Sequence, residues 1–326
     1  MKPNKRSRIS HDNISPTVES NFDHLPDELV VSILASLSSS ANTPADLAGA
    51  MMTDRRFRQL AHSKLVLKKA SMGCLAVRAK NWSEAADRFL QRCADAGNLE
   101  ASYILGMIRF YCARSRRTGA ALIVSAANGG HLEAIFSLAV IQFNGSGVSK
   151  QDRDLTLGAG LCARAARLGH VDATRELGHC LLDGYGVTSA PINGRLLLQR
   201  AKQRDAENER QQASLGTLHQ KTHHANTFLS EWFSQTPEAR NAAHCSDKSP
   251  IEEIGDMRLC SNALCGRQET RLHEFRRCSA CASAYYCSRA CQAADWKMGH
   301  RTSCMPRNQE INPHGNQNHV QEGQPE

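Results

Sequence analysis

Three stretches of the chain share one rhythm of apolar and polar positions. RCADAGNLEASYILG from Arg92, SAANGGHLEAIFSLA from Ser125 and RAARLGHVDATRELG from Arg164 align without gaps, and their marker glycines, Gly97, Gly130 and Gly169, stand 33 and 39 residues apart. Each predicts an Ala-rich helix that stops at the glycine and a second helix that opens with an acid and an alanine: Glu100/Ala101, Glu133/Ala134 and Asp172/Ala173. Glycine suits a helix end because it turns left-handed without a Cβ penalty, and an acid suits the positive end of the next helix dipole. The period is that of helical hairpins stacked into a solenoid. Gly106, Ala139 and Gly178 recur at one position of the second helix, where small residues let helices approach closely. Two units carry a matching turn, NGSGV at Asn144 and DGYGV at Asp183, while the first reads YCARSRRTG, and a partial unit fades after Ala201.

Ahead of the repeats, Leu29, Ile33 and Leu37 recur at helical spacing after the start HLPDEL, in which Pro26 suits a first helical turn. Leu47, Met51, Phe57 and Leu60 follow, with Asp46 close to a second helix start, so the segment predicts three helices around a shared apolar face. Beyond the repeats the pattern turns polar from 204 to 250, with one helical island at Phe228, Leu229, Trp232 and Phe233. His219, His223, His224, His244 and Cys245 lie in this stretch without paired ligand spacing and read as solvated linker residues. The ends, 1–20 and 307–326, have too few apolar residues for a core and read as disordered.

The repeat elements A-x-x-x-L-G, G-x-G-V and A-A-x-x-G resemble SEL-type repeats, relatives of the tetratricopeptide repeats, whose usual work is to hold a protein partner. Cys74, Cys93, Cys112, Cys162 and Cys180 on these helices read as small buried hydrophobes. The run L-P-x-E-L-x-x-x-I-L-x-x-L, followed by D-L and a basic-aromatic stretch, resembles an F-box. Phe57 stands where that family often has tryptophan, and LSSSANTP lengthens the link between the first two helices. The resemblance implies docking of a Skp-type adaptor, and through it a cullin, by Leu25, Pro26, Leu29, Ile33, Leu34 and Leu37.

Composition sets where the remaining chemistry sits. The 326 residues are 41% hydrophobic and 22% charged, enough for two or three domains. No apolar run reaches the roughly 20 residues of a membrane span. The start MKPNKRSRISHDNISP has no apolar segment behind its basic residues, so a nuclear and/or cytoplasmic protein is expected, with KPNKRSR a short basic address. Thiols stay reduced there, and a dense cysteine cluster then points to metal. Cys260, Cys265, Cys278, Cys281, Cys287, Cys291, His300 and Cys304 make four close pairs, the ligands of two closed structural zinc sites. Cys287/Cys291 and His300/Cys304 have the spacing that puts both side chains on one helix face.

The run from Tyr286 to Cys304, with its Y-C, C-Q, W and final H-x-x-x-C, resembles a MYND zinc finger. The resemblance implies an interleaved topology, with Cys260, Cys265, Cys287 and Cys291 on one zinc and Cys278, Cys281, His300 and Cys304 on the other. It also implies binding of proline-containing peptides near Gln292 and Trp296, although Trp296 could equally cap the finger's core.

From Asp256 to Arg301 there are eight Lys/Arg and four Asp/Glu. Seven thiolates and two Zn²⁺ bring this near +1, and the whole chain from +8 to about +5, which removes the main driving force for nucleic acid. No Gly-rich phosphate loop, nucleophile elbow or three-ligand open metal site is found, so catalysis is not expected of the chain itself. The expected protein is mainly α: a basic N-terminus (1–20), a small three-helix F-box unit (21–68), a short α-solenoid (69–203), a polar linker with a short helix (204–250), a small two-zinc finger (251–306) and a tail (307–326). This order resembles plant F-box proteins and implies a substrate-recruiting subunit of a Skp–cullin–F-box (SCF) ubiquitin ligase. The alternative is a scaffold or transcriptional co-regulator that binds peptide partners without a ligase.

Overall fold

The computed structural model describes residues 22, 24–113, 115–145, 153–214, 223–235, 258–265, 267–270 and 274–305. The chain divides into two compact units, Met1–Cys74 and Leu75–Glu326. The terminal segments, the turn after Gly145, and His219, His244 and Cys245 lie outside the described residues.

In the first unit, α1 (Asp27–Ser40) starts directly after Pro26 and packs on α3 (Arg55–Leu60) and the short α4 (Lys64–Lys68). It buries Val30, Leu34, Ala35 and Ser38. The lengthened link costs little, because Leu37–Ser40 extend α1 and only a short turn remains before α2 (Pro44–Thr53). That turn is held by the Asp46 carboxylate, which accepts the backbone N–H groups of Asn42 and Thr43 at 2.8 and 3.0 Å. These bonds hold the Asp46 carboxyl below the usual carboxylate range. Leu47 is the buried anchor of α2; Met51, Phe57 and Leu60 are half-buried.

The second unit begins with a 3₁₀ turn (Ala79–Asn81) and three hairpins: α5 (Glu84–Asp95) with α6 (Leu99–Tyr111), α7 (Arg116–Asn128) with α8 (Leu132–Asn144), and α9 (Leu155–Arg167) with α10 (Val171–Asp183). Each second helix packs on the first helix before it and the one after it, giving two layers. Gly97, Gly130 and Gly169 take φ of 88°, 94° and 99°, the left-handed turn expected of them. Close approach also follows the small residues: a Cβ on Gly119 of α7 would stand 2.8 Å from the Gly106 carbonyl oxygen of α6. Cys74, Cys93, Cys162 and Cys180 are buried and Cys112 half-buried.

Two features depart from the polar-linker reading. Helix α11 runs Pro191–Ser214, ten residues past Arg204. Helix α12 (His224–Gln235) lies on α6 and the 3₁₀ turn, burying Phe228 and Leu229, with Phe228 edge-on to Trp82 at 5.3 Å. Glu231 fixes it by accepting the Ala79 N–H at 3.0 Å and pairing with Arg78.

The finger closes the unit against α10. It holds a two-residue hairpin, β1 (Arg276–Arg277) antiparallel to β2 (Tyr285–Tyr286), then α13 (Arg289–Asp295) and a wide helical turn, Trp296–His300. No helix among the described residues is long and apolar enough to cross a membrane.

Candidate metal centres and their surroundings

The folded chain gathers the eight ligands into two groups of four, Cys260, Cys265, Cys287 and Cys291, and Cys278, Cys281, His300 and Cys304, each with its ligand atoms within 4.8 Å of one another. Zinc–sulfur bonds of about 2.3 Å give tetrahedral sulfur–sulfur edges of about 3.8 Å, and about 3.5 Å from sulfur to an imidazole nitrogen. The observed separations fit: 3.6 Å for Cys265–Cys287, 3.4 Å for Cys287–Cys291, 3.9 Å for Cys278–Cys304 and 3.6 Å from Cys281 to His300 Nε2. A disulfide needs about 2.05 Å, so these are not disulfides.

The chemistry of the donors points the same way. Hydrogen bonds from Cys265, Cys287 and Cys291 pull the Cys260 thiol far below its ordinary range, while the contact with Cys260 pushes Cys265 and Cys291 up. Buried sulfurs this close ionise together only around a divalent cation. Four protein ligands leave no open position, so each zinc is structural.

Local structure differs from the spacing argument in one respect. Cys287 precedes α13, whose N-cap is Ser288 accepting the Cys291 N–H at 3.1 Å, and Cys304 follows the last helical turn. The four-residue pairs straddle helix ends instead of sharing a helix face, because a knuckle must turn the chain back toward its metal. Tyr286 is the core of the finger, buried, with its hydroxyl donating to Asp295 at 2.6 Å. Gln292 is half-buried. Trp296 keeps 40% of its surface exposed, edge-on to His300 at 5.8 Å and beside Met298 at 51%, so it does not close the core.

Arg267 is the bond between finger and repeats, and the sequence reading passed over it. It is buried, 3.0 Å from Asp172 of α10 and 2.5 Å from Glu274, and sits 5.4 Å from the ring centres of both Phe136 and Phe275. Arg175 also pairs with Asp172 and with Asp205. Burial alone would raise the Asp172 carboxyl, but Arg267 and Arg175 hold it below its ordinary value.

His223 is likewise not solvated. Its Nε2 lies 2.8 Å from one oxygen of Glu100, whose other oxygen is 3.0 Å from His131 Nε2, and Tyr103 packs on both rings. Two histidines and a carboxylate suggest a third metal. However, Nδ1 of His131 accepts the Ala134 N–H at 3.2 Å and Nδ1 of His223 accepts the Ala225 N–H at 3.1 Å. Each ring therefore carries its proton on Nε2, on the side of Glu100, and has no lone pair there for a metal.

Burial would raise Glu100; the histidine bonds outweigh it and hold the carboxyl at about 2, against 4.5 unperturbed. The lowered folded value means a stabilisation fully present above about pH 4.5 and lost as pH falls toward 2, worth up to ~3 kcal/mol. Urea unfolding should accordingly show Glu100→Gln much weaker than the parent at about pH 7, with the gap narrowing below about pH 4.5 and closing only near pH 2; a gap independent of pH would refute the charged clamp.

The six adaptor candidates separate in the fold. Leu29 and Ile33 are 52% and 48% exposed, Pro26 is exposed, and Leu25 and Leu37 are half-buried. Leu34 is only 2% exposed, packed inside its own unit, and is corrected from a surface contact to a core residue. Arg56 fixes the start of this face, donating to the carbonyl oxygens of Phe22 and Leu25 and pairing with Asp27.

A stack of helical hairpins carrying a docked two-zinc finger defines a protein-binding architecture, and comparison with known proteins agrees. The plant tetratrico peptide repeat model matches residues 75–157 and the MYND finger model residues 260–304. Over 93% of its length the chain is 44% identical to F-box protein At1g67340 of Arabidopsis thaliana, covering 86% of it. It is 45% identical, again over 93%, to F-box protein At5g50450 of the same plant, covering 90% of that protein. The crystal structure of a Sel1 repeat protein from Oxalobacter formigenes aligns with 55% of this chain and 74% of its own at 17% identity and a TM-score of 0.41. The chain belongs to the family of plant F-box proteins that combine helical repeats with a MYND finger.

Proposed function

We propose that this protein is the substrate-recruiting subunit of a Skp–cullin–F-box ubiquitin ligase. The observation that carries the reading is the outer row of α1. Leu29 and Ile33 stand one turn apart and half exposed, while the neighbouring row, Val30, Leu34 and Ser38, is buried. Burying the exposed half of each against an adaptor is worth roughly 0.7–1.5 kcal/mol, and the helix start beside them is held rigid by Arg56. The ubiquitin transfer belongs to other subunits, and the repeats and finger hold the protein to be modified. The exposed Trp296 and Met298 offer the finger apolar surface for an extended proline-containing peptide, which loses little entropy on docking.

Affinity purification from plant cells tests this. The parent chain should recover a Skp-type adaptor and a cullin, and Leu29→Asp/Ile33→Asp should reduce that recovery by about a hundredfold while leaving the helical circular dichroism unchanged. Absence of adaptor from the parent would overturn the ligase reading and leave a peptide-binding scaffold.

A further inference from the structure

The two layers of the solenoid differ in charge. The second helices, α6, α8 and α10, carry five acids against two arginines. Four of those acids meet partners within the chain itself: Glu100 meets His131 and His223, Glu133 meets His170, Asp172 meets Arg267, and Asp183 meets Lys297 at 2.8 Å. Helix α12 and the finger lie on this layer. Beyond α5, which carries three acids and two arginines, the first helices have the opposite composition. Helices α7 and α9 and residues 191–204 of α11 carry eight Lys/Arg and no Asp/Glu. Arg116, Arg117, Arg167, Arg195 and Arg200 are exposed and Arg164 half-exposed, and none of the six has an ion-pair partner among the described residues. Exposed aliphatic side chains lie among them: Leu157 and Leu168 stand seven residues before and four after Arg164, and Ile192 stands three before Arg195 and four before Leu196.

We propose that this outer layer is a docking surface for an acidic polypeptide segment that carries apolar side chains. Charge complementarity sets the partner's sign, since an uncompensated basic stripe attracts and orients an acidic chain. The exposed aliphatic side chains between the arginines favour a polypeptide over nucleic acid, because single strands are held by aromatic stacking platforms and α7, α9 and residues 191–204 contain no Phe, Tyr or Trp. The other layer is taken by α12 and the finger, which leaves this one for an outside partner. The proposal does not depend on the ligase reading.

The test uses the full-length, zinc-loaded chain and a fluorescein-labelled peptide of repeating Glu-Glu-Leu, read by anisotropy. A Gln-Gln-Leu peptide and an oligouridine of equal length serve as comparisons. The acidic peptide should bind with a salt-sensitive affinity and the Gln peptide should not. Arg164→Glu/Arg167→Glu/Arg195→Glu/Arg200→Glu should weaken binding by on the order of tenfold or more, with zinc content and thermal unfolding unchanged. Leu157→Ser/Leu196→Ser should weaken it severalfold at constant charge. No binding of the acidic peptide, or binding unaffected by charge reversal in a folded variant, would overturn the proposal. Tighter binding of the oligouridine, indifferent to the leucine changes, would also overturn it in favour of a nucleic-acid surface.

Discussion

A chelator should strip zinc from the folded protein in two phases. The first comes from Cys278, Cys281, His300 and Cys304, because all but Cys278 are partly open to solvent. The second is slower, because Cys260, Cys265, Cys287 and Cys291 are all buried. Cys287 and Ser288 also line a small crevice shut against Phe136, Phe143 and Glu176 of the repeats. Each structural zinc supplies on the order of 10 kcal/mol of folding free energy, and the finger's own core, built around Phe275, Ala284 and Tyr286, is too small to replace it. Finger structure should therefore vanish with the metal, while the repeats, which pack on one another, keep their helical circular dichroism. Elemental analysis should find two zincs in the parent and one after Cys278→Ser/Cys281→Ser. One zinc in the parent, or a single release phase carrying both, would contradict two separate centres of unequal burial.

The features legible in the sequence were those that short stretches encode. Repeats show because each hairpin satisfies its own helix ends, so Gly97, Gly130 and Gly169 recur wherever the turn does. The zinc ligands show because a tetrahedron restricts spacing. Which ligands share a zinc, and which row of α1 faces inward, are set by distant chain. The buried row includes Ser38, whose hydroxyl donates to the Val66 carbonyl oxygen at 3.2 Å inside the unit, a partner that no local pattern reveals. Leu34 was named as a contact by the F-box resemblance, which does not show that it packs inward. His223 read as linker because its neighbours are polar, and its partner Glu100 lies more than a hundred residues earlier. Arg267 entered the sequence reading only as one charge among eight. Nothing local marks it, since its partners come from α10, from α8 and from the finger itself.

Replacing Arg267 should undock the finger without emptying it. Three contacts between an acid and a side-chain N–H of the next layer form a ladder across the repeats: Glu100 with His131, Glu133 with His170, and Asp172 with Arg267. In the first two the partner is the histidine N-cap of the following second helix; at the third, the finger supplies an arginine. The finger thus completes the solenoid in place of another repeat, and this gives Arg267 its weight. Arg267→Met keeps an apolar stem between Phe136 and Phe275 but leaves Asp172 and Glu274 short of a buried counter-charge, at a cost of about 3–5 kcal/mol. Arg267→Lys should recover little of it, because a lysine ammonium lacks the planar fork that reaches two carboxylates while lying between two rings. Zinc content should stay at two per chain in both variants, which distinguishes undocking from metal loss. Adding Asp172→Asn to Arg267→Met should return part of the loss, since the stranded carboxylate is then gone. Strictly additive losses in the double variant would show that Arg267 stabilises the finger by packing alone, and that the third rung is not an ion pair the fold depends on.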